Sequence, residues 1–348
     1  MSRPPPLTIR LVPPSAGTSA SWPLEPLQSE LEQAGHTVQV ARADDLAQVP
    51  APDVVHCFDV TEALDLSARV GDAPLLVTPA AGLGVSETPE ADPVLASAAS
   101  VVVRSSSEQE RVHRLGVPWY RTWVLPVAVD VNTYSRVGEM ANRTGRFRLV
   151  AELSGPADGL EDVIAAVSRL DDVELVVLLG QPGGAAVSER RLTAIRSAML
   201  EAGIVERCVL VAPASAGERA WWLRSAHVAV AVPHSAAGVD FAAQAMACGT
   251  PVVATPVDAL ADVVVHGVTG FLVAPGDPLS VARAIRKVLE DEFSVEAYGL
   301  AASDRARSRF AWPRVAHELV GVYRRVASSQ VEPDDLAAID PTFDEESA

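Results

Sequence analysis

The run PHSAAGVDFAAQAMACG (233–249) gathers several groups able to do chemistry within a short stretch. His234 could serve as an acid or a cation beside a reacting group. Asp240 opens an apolar helical run that ends near Cys248, where a carboxylate is a natural N-cap for the N–H groups left free in the first turn. Those N–H groups also suit a phosphate, so an aspartate there either closes an anion site from within or is a plain cap with no bearing on ligands. Gln244, one turn further on, offers an amide that can hydrogen-bond a hydroxyl without carrying charge. Gly238, Val239 and Phe241 flank this helix start and complete the candidate ligand edge. A second run, AELSGPADGL (151–160), passes from strand to helix through a glycine turn that carries Glu152, Asp158 and Gly159, and Gly180 closes the strand after it. A third turn, PSAGTSAS (14–21), brings Gly17 and Thr18 to the end of the first strand and also reads as an ordinary strand-to-helix turn.

Elements must hold these turns in place, and the apolar periodicity supplies them. LTIRLV (7–12) predicts a strand, and LEPLQSELEQAG (24–35) puts Leu24, Leu27 and Leu31 on one helical face before Gly35 stops the helix. HTVQVA, DVVHCF, PLLVTP and ASVVVRS follow as short runs of buried-strand length. A second series begins at FRLVAEL (147–153) and alternates strands VELVVLLG, CVLVAP, HVAVAVP and PVVATP with helical stretches between them. The reading is α/β, with two doubly wound parallel-sheet domains. The expected divisions are 1–134, a polar glycine-bearing linker at 135–146, a second domain at 147–327 and an acidic tail at 328–348, with a ligand cleft between the domains. The tail carries seven acids and no base, which reads as a solvated segment or, alternatively, a docking segment.

Composition narrows the function classes. Hydrophobic residues make up 49% of 348 and aromatics 5%, so Ala, Val and Leu must fill two cores. A formal net charge of −17 argues against nucleic acid or an anionic membrane as partner. Lys287 is the sole lysine, so other cationic contacts fall to arginine, histidine or helix N-termini. Cys57, Cys208 and Cys248 lack metal-site spacing and fit buried thiols. Neither a leader sequence nor a membrane span is predicted, and the expected location is cytoplasmic. His36 and His56 lie beside strands and read as structural histidines.

Two sets of motifs, CGTPVVATPVDALADVVVHGVTGFLVAPGDPLSVARAI (248–285) and, earlier, LQSELEQAGHTVQV, PDVVHCFD, LGVP and VLPVAVDVNTY, occur in family order over roughly residues 7 to 326. Together they resemble glycosyltransferase family 4, retaining enzymes of the GT-B architecture with two Rossmann-like domains. The resemblance implies a nucleotide-sugar donor such as a UDP- or GDP-sugar, no metal, and a donor diphosphate held by an Arg and a Lys in one loop. It also implies two glutamates, eight residues apart, on the sugar and ribose hydroxyls. Glu152 and Asp158 stand where that Arg and Lys would be, Ala236 and Gln244 stand where the glutamates would be, and Asp240 replaces a leucine. The site thus loses two cations, gains three acids and loses two glutamates, and its charge falls by three. Ala80 or Ala81 occupies the place of a sugar-contacting histidine. Arg104, Arg143, Arg146 and Arg148 are the arginines that could compensate.

The resulting expectation is a weakly active or non-catalytic GT-B protein, kept as a partner or regulatory subunit of an active glycosyltransferase or as a homo-oligomer. The alternative is an active retaining transferase with a rearranged donor site. A third reading is a small-ligand or isomerising protein on the same frame.

Overall fold

The computed structural model describes residues 4–14, 23–42, 51–67, 73–79, 91–155, 157–182 and 186–328. The chain divides into two compact units. The first comprises 1–103, 109–124 and 317–348, and the second 104–108 and 125–316.

In the first unit, β1 (Thr8–Val12), α1 (Leu24–Gln33), β2 (Thr37–Val40), β3 (Val54–Cys57), α2 (Val60–Ser67), β4 (Leu75–Val77), α3 (Ala91–Ser97) and β5 (Ser100–Val103) alternate along the chain. Helix α4 (Ser106–Arg114) and β6 (Thr122–Val124) follow. The strands form one six-stranded sheet in the order β2-β1-β3-β4-β5-β6, each pair parallel. Parallel strands covered on both faces need apolar residues at successive positions, and every residue of β3, β4 and β5 is buried.

The second unit repeats the plan. It runs β7 (Phe147–Leu153), α5 (Leu160–Val167), β8 (Val173–Leu179), α6 (Glu189–Glu201), β9 (Cys208–Val211), α7 (Ala216–Ser225) and β10 (Val228–Ala231). It continues through α8 (Val239–Ala247), β11 (Val252–Ala254), α9 (Ala259–Val263), β12 (Gly270–Leu272), α10 (Pro278–Val288) and α11 (Glu292–Arg305). Its sheet order is β12-β11-β10-β7-β8-β9, again wholly parallel. Two core clusters, one centred on α8 and one on α5 and α10, cover its faces. The predicted pair of doubly wound parallel sheets is therefore present.

The division lies elsewhere than at residues 134 and 146. Val127, Val129 and Tyr134 are buried in the core that surrounds α8. The polar stretch 135–146 is laced to α7, where Arg224 Nε donates to the Glu139 carbonyl at 2.7 Å and Ala141 N donates to the Trp221 carbonyl at 3.2 Å. Glycine and polar residues mark a turn in sequence, but these hydrogen bonds fix the segment to the second unit. The last helix, α12 (Trp312–Ser328), begins in the second unit and from His317 counts with the first. Tyr323 on α12 is fully buried, and its hydroxyl lies 2.7 Å from His56 Nδ1 on β3. His56 Nε2 meets Thr78 Oγ1 at 2.7 Å.

Both expected structural histidines are satisfied, since His36 Nδ1 accepts from Leu7 N at 3.0 Å. Cys57 and Cys248 are buried, and desolvation pushes each thiol up to about 12. Cys208 departs from expectation because it sits on the edge strand β9 and is only partly buried, its thiol pushed up to about 11. Among the described residues no helix is long and apolar enough to cross a membrane.

Candidate functional site

The C-terminal end of β7 carries Glu152 into a recess of about 240 Å³, counted with its open mouth. Its lining includes Glu152 at the end of β7, Ser154, Asp158, Pro233 and Gly238 from turns that follow strands of the second unit, and Phe241 from α8. Two lining residues are carboxylates and none is a lysine, arginine or histidine.

Glu152 has a partner that the motifs did not point to. Arg219 on α7 is fully buried, and its Nη2 donates to Glu152 Oε1 at 2.6 Å. Arg219 Nε donates to Gln244 Oε1 at 2.7 Å, and Nη1 to the Gly180 carbonyl at 2.9 Å. Its guanidinium also lies 5.7 Å from the Phe241 ring centroid. Gln181 closes the set by donating to Glu152 Oε1 and accepting from Gln244 Nε2, both at 3.4 Å. Four side chains thus make a ring. The ring gives a physical reason for glutamine at 244, because this residue must accept from a cation on one side and donate to an amide oxygen on the other. A carboxylate can do only the first. Burial raises the Glu152 carboxyl above the ordinary range, while the charge of Arg219 pulls the other way.

Asp158 is satisfied from within its own loop. Its Oδ2 accepts from Ser154 N at 3.1 Å and Gly155 N at 3.0 Å, and its Oδ1 from Leu160 N at 3.1 Å. Arg191 on α6 adds a charged donor to Oδ1 at 2.8 Å and also grips Glu161 on α5. The backbone donors of this turn, which could face an anion, are bound to a carboxylate of the same chain instead. Gly159 follows in the left-handed region, with φ +72°, and a Cβ there would come within 1.9 Å of the Val232 carbonyl oxygen. Only glycine lets the turn pack this closely on the strand end.

The expectation for Asp240 is overturned. Gly238, with φ +74°, caps α8 without a side-chain bond, and the helix starts at Val239. Asp240 is the second helical residue, 52% exposed, and points to Arg104 Nη2 at 3.7 Å rather than to the helix N–H groups. The cause is the left-handed glycine, which turns the chain into the helix two residues before the aspartate.

Each of the three acids expected to lower the charge of the site has an arginine within 4 Å: Glu152 with Arg219, Asp158 with Arg191, and Asp240 with Arg104. Apart from Arg104, the arginines expected to compensate serve elsewhere or lie away from the recess. Arg148 is buried and bonded to Glu174, Ser225 and backbone carbonyls; Arg143 donates to the Ser225 carbonyl; Arg146 is exposed just before β7. His234 is half exposed outside the recess lining, with Nε2 2.6 Å from Asp162 Oδ2. Ala236 is exposed in the same turn. Gly17, Thr18, Ala80 and Ala81 lie outside the described residues.

Arg219 and Gln181 were missed by sequence reasoning. The one available signal for Arg219 was its place on the apolar face of α7 with Ala220 and Leu223, where a charge requires a buried partner.

Residues 145–291 match the family described as Glycosyl transferases group 1. The D-inositol 3-phosphate glycosyltransferase of Xylanimonas cellulosilytica is 31% identical over 246 residues, covering 66% of this chain and 58% of that protein. The protein of the same name from Geodermatophilus obscurus is 30% identical over 269 residues, covering 71% and 58%. The matched part thus spans less than two thirds of these relatives. Among solved structures, sucrose-phosphate synthase from Thermosynechococcus elongatus superposes with a TM-score of 0.74 at 20% identity, covering 92% of this chain and 98% of that one. Anabaena HepE in complex with UDP gives 0.75 at 16% identity, covering 91% and 99%.

Proposed function

We propose that this chain, which has the GT-B glycosyltransferase fold and a Glycosyl transferases group 1 segment, is a non-catalytic or weakly active partner or regulatory subunit of an active glycosyltransferase. The observation that carries the reading is the commitment of Arg219. A donor diphosphate needs cations that are free to follow the charge growing on the leaving nucleotide. Arg219 is paired with Glu152 of the recess lining, and it is fixed by Glu152, Gln244 and Gly180. Drawing it toward a phosphate would leave a buried carboxylate unpaired, at a cost of about 3–5 kcal/mol. The same holds in weaker form for Arg191, which already serves Asp158 and Glu161.

One observation favours the alternative of an active transferase with a rearranged donor site. Arg104 is buried, and its Nε and Nη2 have no hydrogen-bond acceptor among the described residues. It stands 3.7 Å from Asp240 at the start of α8 and is the least committed of the three arginines.

Calorimetric titration with UDP, GDP, UDP-glucose and GDP-mannose, with and without Mg²⁺, separates the two readings. The expected result is no saturable binding below the millimolar range. A micromolar Kd for any of them removes the non-catalytic reading and makes Arg104 the first residue to replace.

A further inference from the structure

The second unit carries a face whose chemistry neither reading uses. Residues 133–141 run along α7 and are bonded to it at several points. Arg224 Nη1 donates to the carbonyls of Thr133 and Ser135 at 3.2 and 3.3 Å, and its Nε donates to the Glu139 carbonyl at 2.7 Å. Gly138, with φ +144°, lies directly on this guanidinium, since a Cβ there would stand 2.9 Å from its central carbon. Ala141 N closes the segment onto the Trp221 carbonyl at 3.2 Å. Trp221 and Arg224 are three residues apart on α7 and so neighbours on one side of the helix. Although the backbone is held down in this way, Val137 and Met140 are 83% and 53% exposed, and Trp221 on the helix they cross is 40% exposed. Val137 precedes the glycine that lies on the guanidinium, and Met140 precedes the residue bonded to Trp221, so the three side chains leave one bonded piece of backbone. Exposed apolar groups gathered within a polar rim mark an interaction surface.

The rim is basic. From Ser135 to Arg148 the chain has four arginines and one acid, in a protein with 45 acids against 28 lysines and arginines. Of the four, Arg148 is neutralised by Glu174 at 2.6 Å. Arg136 and Arg143 are exposed, and no carboxylate among the described residues pairs with either of them or with Arg224. The bonds that hold Arg143 and Arg224 go to main-chain carbonyls, which order a guanidinium without cancelling its charge. Two copies meeting through this face in a two-fold dimer would set arginine against arginine, which disfavours a second copy as the occupant. Charge and apolar character together select a partner that brings acids spaced among apolar side chains.

We infer that the face formed by Val137, Met140 and Trp221, with Arg136, Arg143 and Arg224 around them, docks an acidic, apolar-bearing segment of the glycosyltransferase that this chain accompanies. The inference rests on the reading of the chain as a partner subunit. Apolar side chains of the segment cover Met140 and Trp221 while its carboxylates meet the guanidinium groups.

The test is fluorescence anisotropy of a fluorescein-labelled synthetic peptide of Glu-Glu-Leu repeats, titrated with the full chain. Saturable binding is expected at low salt, with half-saturation at about 100 µM or below. It should weaken about tenfold in 0.5 M NaCl, where screening shortens to a few ångströms. Val137→Ser/Met140→Ser and Arg136→Glu/Arg143→Gln are each expected to weaken it about tenfold or more, with the fold checked by circular dichroism. Arg190→Glu/Arg283→Gln makes the same change of charge on α6 and α10, over the other face of the sheet, and should bind as wild type does. A peptide of Glu-Glu-Ser repeats should bind about tenfold more weakly than the leucine peptide. Absence of saturable binding, an equal loss in the α6 and α10 variant, or equal binding of the two peptides overturns the inference. Sedimentation that finds a dimer abolished by Val137→Ser/Met140→Ser gives the face to a second copy and overturns it as well. The partner-subunit reading fails separately, by micromolar nucleotide binding in the calorimetry above, and that outcome leaves the peptide result standing.

Discussion

Gln244 shows how one residue type is set by three others. Arg219 needs an acceptor and Gln181 Oε1 needs a donor, and an amide between them supplies both. The ring stands or falls on the buried ion pair, so Arg219→Met is expected to destabilise the second unit by about 3–5 kcal/mol at pH 7, measured by urea unfolding. The Glu152 carboxyl is already raised by burial, and without Arg219 it rises further. A group with a raised folded-state pKa is most stabilising, or least destabilising, below its unfolded value, so the cost of Arg219→Met should shrink when the measurement is repeated at pH 5. Arg219→Met/Glu152→Leu should recover most of the loss, because replacing both members of a buried pair removes the unpaired charge. If the double variant is no more stable than the single one, the ring is not organised around that pair. The acids at 152, 158 and 240 were legible in sequence. Their arginines were not, because Arg219 lies 67 residues from Glu152 and Arg191 33 from Asp158.

At the scale of elements, two turns and one buried cluster decide geometry. Gly159 and Gly238 both enter helices in the left-handed region; the sequence marked a glycine turn before the first of these helices, but not the consequence of Gly238 for Asp240. Gly159→Ala combines an unfavourable φ with a collision against the Val232 carbonyl, and a loss above about 2 kcal/mol is expected by thermal or urea unfolding. A loss within a few tenths would mean the turn has another way to pack. His56 joins β3 to α12 through Tyr323 and to Thr78, and burial drives its imidazole down to about 3. With the unfolded value near 6.5, the unfolded chain binds more protons between those limits. Its stabilising contribution is therefore complete above about pH 6.5 and is lost as pH falls toward 3, by up to about 1.4 kcal/mol per pH unit. His227, lowered to about 4 by burial and by nearby Arg143 and Arg148, acts in the same direction in the second unit. Urea unfolding of wild type and His56→Gln at pH 7, 6, 5 and 4 checks this. The gap between the two should narrow steadily on acidification, and a constant gap would show that His56 does not titrate in this way.

At the scale of the whole chain, alternating apolar runs of strand length and amphipathic helices leave few solutions other than parallel sheets covered on both faces, and both sheets are of that kind. The similarity to GT-B structures follows from the same alternation. The unit boundary did not follow, because a polar, glycine-bearing stretch looks the same whether it links two units or is stitched to one. Only its bonds to Arg224 and Trp221 assign it to the second. The sequence by itself determined the class of fold, the glycine turns of the second unit, and the presence of acids at 152 and 158, since periodicity and residue type are local properties. Tertiary structure alone decided what those acids touch. An acid read in isolation repels a phosphate, whereas an acid paired with a buried arginine is neutralised and holds that arginine back. Which of these applies depends on distances between residues far apart in the chain, and those exist only once the strands and helices have packed.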